Sequence, residues 1–210
     1  MKKILIPSAV CLLITWASLV SAHGPVRQKV VEKIDIDAPP AKVWAEIKDF
    51  GNLSWLPPVK STTAENLPGS DGKCEENDAN AFVWAGSDTP CASRVLTLKD
   101  GGMITEVVKK YNNEKMIYSY RITDMSTAKT IKHSGEDVPV KVVPVSNYSA
   151  TLMVKDNKKG GSQVIWKSGF YRGYMNNNPP PELTEEVAIG VVSDIFKSGL
   201  GNLKKTVEGK

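Results

Sequence analysis

Apolar and polar residues alternate in short runs through most of the chain. A period of two is typical of strands with one buried face. The pattern predicts seven strands, at residues 26–36, 59–65, 94–98, 103–111, 115–124, 142–155 and 163–171. Gly101-Gly102 and the Lys/Gly segment at residues 157–161 are typical of tight turns, so neighbouring strands are expected to pair antiparallel. Residues 125–137 are polar and predict an irregular segment.

Two helical segments are predicted between the first two strands. Pro39 and Pro40 suit a first helical turn, and apolar residues at helical spacing follow until Gly51. Residues 52–55 predict a second short helix, which the prolines after it end. The apolar positions of the first helix are Val43, Trp44, Ile47 and Phe50.

A long amphipathic helix is predicted at residues 183–207, where apolar residues recur at close to 3.6 positions. Acidic residues near its start and Lys204 and Lys205 near its end suit the helix dipole. The fold class is therefore α+β. A curved antiparallel sheet of about seven strands is expected to wrap around this helix, with a cavity between them.

The segment after the first strand carries a resemblance to a known superfamily. The resemblance rests on DAPPAKVW at residues 37–44, Ile47, DFG at residues 49–51 and WLP at residues 55–57. It is a resemblance to the helix-grip superfamily. That superfamily includes the major birch-pollen allergen, the START lipid-transfer domains and the polyketide cyclases. The resemblance implies the helix-grip fold over one domain at residues 23–210.

A narrower resemblance concerns the MxaD-like accessory proteins of periplasmic methanol oxidation. It rests on residues 23–25, 94–98 with 101–102, 118–122, 144–148, and 170–173 with 179–183. It implies contact with quinoprotein methanol dehydrogenase, its cytochrome c acceptor, or both. The segment between Cys74 and Cys91 and residues 125–137 look like additions to that pattern.

Residues 1–22 read as a cleavable signal peptide. Two lysines precede a short apolar run, and Val20-Ser21-Ala22 supplies small residues for cleavage. The run is short for an anchor that spans a bilayer, so export to the periplasm without membrane insertion is expected. In an oxidising compartment Cys74 and Cys91 are candidates for a structural disulfide, and a redox or metal-binding pair is the alternative.

Charge and residue inventory exclude several functions. Loss of Lys2 and Lys3 reduces the 27 basic residues to 25, against 23 acidic ones, so no nucleic-acid partner is expected. His23 and His133 stand in no recognisable catalytic pattern, and no phosphate-binding glycine loop occurs. We therefore expect neither catalytic residues nor a cofactor. His23 is a weak candidate for a metal ligand at the mature N-terminus, with a frayed terminus as the alternative.

Two groups of residues are candidates for binding. Aromatic residues are expected to line the cavity, unless they simply fill the core: Trp55, Tyr118, Tyr120, Trp166 and Tyr171. The loop before the long helix is the candidate for partner contact, with a solvated connector as the alternative. Its residues are Tyr171, Arg172, Tyr174, Met175 and Asn176.

The leading functional hypothesis from the sequence is a non-enzymatic periplasmic accessory protein of methanol oxidation. The first alternative is a carrier of a small apolar ligand in the helix-grip cavity. The second is a cyclase-like enzyme, which would need a buried titrating pair in that cavity.

Overall fold

The computed structural model describes residues 24–65 and 93–209. The predicted signal peptide, His23, Cys74 and Cys91 lie outside these residues. The described elements are β1 Gln28–Ile36, α1 Pro40–Ile47, β2 Val59–Glu65, β3 Ser93–Leu98, β4 Met103–Asn112, β5 Ile117–Met125, β6 Thr127–His133, β7 Glu136–Lys141, β8 Val145–Asp156, β9 Ser162–Arg172, a 3-10 turn Pro181–Leu183, and α2 Glu185–Glu208.

Seven of these strands form one antiparallel sheet in the order β1-β9-β8-β5-β4-β3-β2. The first and last strands in sequence are neighbours, because β1 pairs with β9 from Gln28↔Phe170 to Ile36↔Ser162. Buried and exposed residues alternate along β9, so one face of the sheet is buried. The predicted α+β helix-grip fold is confirmed.

Helix α2 packs along the buried face of the sheet, chiefly against β1 and β9. The Thr184 hydroxyl accepts a hydrogen bond from the Val187 amide and caps the first turn. Gly209 ends the helix with a left-handed φ of 72°. At Gly199 the helix comes so close to the core that a Cβ would lie 2.7 Å from Leu56 Cδ1.

The second predicted helix, at residues 52–55, does not form. Instead, successive turns connect α1 to β2, with hydrogen bonds from Leu56 N to Leu53 O and from Val59 N to Leu56 O. Pro57 disfavours helical geometry at Leu56 and has no amide hydrogen to donate, so a helix cannot propagate. These turns nevertheless direct Leu53, Trp55 and Leu56 into the core.

Residues 125–137, predicted as irregular, contribute to a second sheet formed by β6 and β7. Ser134 and Gly135 connect the two strands, and both have positive φ values, 51° and 84°. Two consecutive positive φ values are typical of the tight hairpin turn that matches strand twist.

No helix among residues 24–65 and 93–209 is long and apolar enough to cross a membrane.

Candidate functional site

A largely apolar cavity of about 200 Å³ lies between α2, the turns before β2 and the buried face of the sheet. Strands β3, β4, β5, β8 and β9 form its wall and floor, and α2 covers it. The lining residues are Leu53, Leu56, Pro58, Val59, Arg94, Leu96, Leu98, Asp100, Ile104, Glu106, Tyr120, Ile122, Val142, Val143, Tyr148, Trp166, Val192, Ile195 and Phe196.

A buried ion pair forms one wall of the cavity. Arg94 and Glu106 face each other across β3 and β4, and Arg94 Nε and Nη2 both lie 2.6 Å from Glu106 Oε2. Arg94 Nη1 donates to the carbonyl of Phe50 at 2.8 Å. The guanidinium carbon also lies 3.8 Å from the Phe50 ring centroid and 5.0 Å from that of Tyr120.

The three guanidinium nitrogens of Arg94 are therefore all engaged within the protein. Glu106 is engaged only through Oε2, because no residue that the structure describes donates a hydrogen bond to its other oxygen, Oε1. Burial raises the pKa of Glu106, and the attraction of Arg94 opposes that rise. For Arg94, burial disfavours the charged form, but attraction from Glu106 prevails and the pKa is raised. The geometry supports a charged pair at neutral pH, since two nitrogens contact one oxygen and arginine retains its proton.

Phenol groups surround this pair. The indole Nε1 of Trp166 donates to the Tyr120 hydroxyl at 3.0 Å. Burial raises the pKa of Tyr118 to about 12 and raises those of Tyr120 and Tyr148 well above the ordinary value. All three phenols are consequently neutral at physiological pH, and the net charge of the buried cluster with Arg94–Glu106 is zero.

This arrangement suits recognition of an uncharged molecule. Among the lining residues that the structure describes, the only basic side chain is Arg94, which is already neutralised by its partner. Glu106 Oε1 is an acceptor for a hydroxyl or amide hydrogen. Within the described part of the chain, no group of three or more His, Cys, Asp or Glu residues is arranged to hold a metal ion.

The structure divides the predicted cavity residues into three sets. Tyr120 and Trp166 line the cavity. Trp55 and Tyr118 are buried beside it without lining it; the Trp55 ring lies 5.4 Å from that of Trp166. Tyr171 does not belong to the cavity, because the alternation along β9 places it on the opposite face, where Arg27 lies over its ring at 5.5 Å.

The residues of the predicted contact loop also differ in their exposure to solvent. Arg172 is only 4% exposed, and its guanidinium donates to the carbonyls of Tyr174 and Asn176 and pairs with Glu185. It holds the loop on the end of α2 and is unsuited to contact a partner. Met175 and Asn176 are exposed, and Tyr174 packs edge-on against His133.

Sequence reasoning missed Arg94 and Glu106, although a signal for both was present. In β3, Arg94 stands two residues before the buried Leu96, and in β4, Glu106 stands two residues after the buried Ile104. Residues two apart on a strand share a face. A charged residue of each sign at an inward position of neighbouring strands therefore predicts a buried pair.

Comparisons with known proteins agree with this architecture. A family model described as polyketide cyclase / dehydrase and lipid transport matches residues 27–208. No curated protein matches the chain significantly.

Solved structures share the fold at low sequence identity. The protein XoxI from Bacillus cereus has 23% identity and a TM-score of 0.57, covering 85% of this chain and 94% of its own. An uncharacterised protein from Bacillus thuringiensis has 23% identity and a TM-score of 0.55, covering 86% and 98%. Ara h 8.0201 has 14% identity and a TM-score of 0.53, covering 88% and 100%.

Proposed function

Because the chain belongs to the polyketide cyclase, dehydrase and lipid transport family, we propose that it binds a small, uncharged and mainly apolar molecule in the cavity beneath α2. One observation carries this proposal: in the described part of the chain, the cavity lining is largely apolar and its one basic side chain, Arg94, is already paired with Glu106.

The ion pair argues against an anionic ligand. A carboxylate entering the cavity would compete with Glu106 for Arg94, whose nitrogens are all engaged. Displacing Glu106 would leave a buried charge without a partner, which costs several kcal/mol. An uncharged ligand avoids that cost.

The cavity volume limits the size of the ligand. An engineered apolar cavity of about 150 Å³ in another protein binds benzene. A cavity of about 200 Å³ therefore suits a one-ring molecule or a short chain. Glu106 Oε1 favours a ligand with a hydroxyl group, since an apolar molecule alone leaves that acceptor without a donor.

Binding of a matched pair of probes tests the proposal. We expect 4-propylphenol to bind, as measured by calorimetry or by quenching of tryptophan fluorescence, and 4-propylbenzoate to bind at least about tenfold more weakly. Equal or tighter binding of the benzoate contradicts the proposed selectivity.

A pair of variants locates the binding site. Ile195→Trp should abolish binding, because Ile195 lines the cavity from α2. Val191→Trp is the matched control: Val191 is half-buried on the same helix but does not line the cavity. Equal loss in both variants would point to general damage to the helix rather than to occupation of the cavity.

An accessory role in periplasmic methanol oxidation is the second candidate. It is supported by the sequence resemblance and by the exposure of Met175 and Asn176 beside α2. It requires export and contact with methanol dehydrogenase or its cytochrome c acceptor. The test is the rate of dehydrogenase-dependent cytochrome c reduction with and without the pure protein, and an unchanged rate at saturating protein opposes this role.

A cyclase-like activity finds its candidate base in Glu106, whose pKa is raised by burial while Arg94 opposes the rise. One measurement distinguishes ligand binding alone from catalysis. Incubation with polyketide-like phenolic precursors should leave them unchanged if the protein only binds, whereas turnover that Glu106→Gln abolishes would identify an enzyme.

A further inference from the structure

A basic groove lies on the face of the sheet opposite the cavity. Trp166 lines the cavity and its neighbour Lys167 lines the groove, because successive residues on a strand point to opposite faces. The groove crosses β9, β8, β5 and β4 and encloses about 640 Å³. It is separate from the ligand site proposed above, and the inference drawn from it does not depend on that site.

The residues lining the groove include five basic side chains and, among those that the structure describes, no carboxylate. Residues with small or short polar side chains form its floor. The lining residues are Arg27, Gln28, Lys29, Lys109, Lys110, Ser119, Tyr120, Ser149, Ala150, Thr151, Lys167, Ser168 and Gly169.

Arg27 is fixed at the rim. Its Nη2 donates to the carbonyl of Gly169 at 3.1 Å and to the Ser149 hydroxyl at 3.3 Å, and it lies over the Tyr171 ring. Gly169 leaves the space for this side chain, since a Cβ there would lie 2.9 Å from Arg27 Nη2. The positive charge of Arg27 is thereby held over the groove.

Three of the lysines have no counter-charge among the residues whose positions are described. Lys29, Lys109 and Lys167 form no ion pair with any residue in the described part of the chain. The chain as a whole is only weakly basic, with a formal charge of +4. The positive charge on this face is therefore a local concentration, and an anionic partner is the complementary one.

The spacing of the lysines indicates how large that partner is. Lys167 on β9 and Lys109 on β4 are separated by β8 and β5. Three strand spacings amount to about 14 Å between the two backbones. A chain of carboxylates can therefore pair with lysines on both sides of the groove at once, whereas a single phosphate would require both side chains to lean toward its centre. The groove is also concave with its small residues at the floor, so the flat surface of a bilayer contacts only its rim.

We propose that this groove is a docking site for an acidic segment of another protein, whose carboxylates pair with the lysines on both sides of the groove. Val31, 40% exposed and opposite Lys167 across β1 and β9, supplies an apolar contact at the edge. Such an interface associates rapidly and weakens as salt is added.

Binding of poly-L-glutamate at low ionic strength tests the proposal. We expect binding by the full mature chain and a decrease of about tenfold or more in Lys29→Glu/Lys109→Glu/Lys167→Glu, since each reversal replaces an attraction with a repulsion. The control has the same change in net charge at exposed lysines outside the groove. It is Lys60→Glu/Lys158→Glu/Lys159→Glu.

Retained binding in the control with loss in the groove variant supports the proposal. Equal loss in both variants overturns it, because the effect then follows net charge. Tighter binding of pyrophosphate than of poly-L-glutamate, or binding to phosphatidylglycerol vesicles that the groove variant alone loses, assigns the groove to another anion and also overturns it. A cross-link between Lys109 and the chain's own Glu75 or Glu76 would show an internal occupant and would contradict it equally.

Discussion

Replacing Arg94 by methionine isolates the role of the buried ion pair. The substitution keeps an apolar stem of similar length but removes the charge that Glu106 faces at 2.6 Å. It also removes the donor to the Phe50 carbonyl. Both losses occur at buried groups, Arg94 and Glu106 being only 2% and 5% exposed.

The expected destabilisation is large. Removing one member of a buried pair costs about 3–5 kcal/mol, because the remaining charge has no partner. Part of that loss, about 1 kcal/mol, belongs to the bond with Phe50. Replacing both members, as in Arg94→Met/Glu106→Leu, leaves no orphaned charge and should bring the free energy of unfolding back to within about 1 kcal/mol of the wild type.

The pH dependence provides a distinguishing signature. Without Arg94, burial raises the pKa of Glu106 further, because the attraction that opposed the rise is gone. A carboxyl group whose folded pKa is raised stabilises the fold fully below its unfolded pKa, near 4.5, and loses that contribution as pH rises through the folded pKa. Arg94→Met should therefore be less destabilised at acidic pH than at neutral pH.

Urea unfolding of the wild type, Arg94→Met, Glu106→Leu and the double variant at two pH values measures these quantities. The slope on denaturant is a check on the unfolded state. If each single variant loses less than about 1 kcal/mol, the losses add in the double variant and neither depends on pH, the ion pair does not have the proposed role.

Further predictions concern the helix, the tyrosines and the thiols. Gly199→Ala should destabilise the fold by about 1 kcal/mol despite its better helix propensity, because the added Cβ would lie 2.7 Å from Leu56 Cδ1. Gly201→Ala should stabilise the fold by a similar amount, because nothing lies within 4 Å of its Cβ. Thermal unfolding compares the two variants, and equal shifts in Tm would contradict the close packing at Gly199. Because burial raises the pKa of Tyr118 to about 12, this residue contributes on the order of 3 kcal/mol of stability, which is complete below pH 10 and is lost as pH rises through about 12. Phenolate absorbance should show that Tyr118 titrates together with alkaline unfolding, and not with the exposed tyrosines. The mature protein should begin after residue 22 and contain Cys74 and Cys91 as a disulfide. Intact mass and thiol titration measure these two properties. A retained leader or two free thiols would oppose export.

The sequence predicts those parts of the fold that depend on periodicity. The seven strands of the large sheet and α2 each carry a regular pattern over many residues. The start of α2 was predicted two residues early, because Thr184 caps the helix from outside it. Residues 52–55 failed as a helix because the segment is too short for periodicity to outweigh Pro57. The β6–β7 hairpin was missed because β6 is exposed along most of its length and has no regular apolar alternation, although Ser134-Gly135 is a turn signal.

The cavity was predictable only in part. Tyr120 and Trp166 were predicted to line the cavity because they are aromatic residues on predicted strands. Tyr171 lies on the opposite face of the sheet, which only the register of β9 reveals. The pairing of Arg94 with Glu106 depends on the alignment of β3 with β4. The groove likewise depends on strand order, which brings Lys109 and Lys167 to one face from distant parts of the sequence.

A crystal structure of the protein with 4-propylphenol is the decisive test of the proposed ligand site. We predict the ring inside the cavity beneath α2, its hydroxyl within about 3 Å of Glu106 Oε1, and the Arg94–Glu106 contacts unchanged. A cavity that contains only water, or a phenol bound elsewhere on the molecule, would contradict the account.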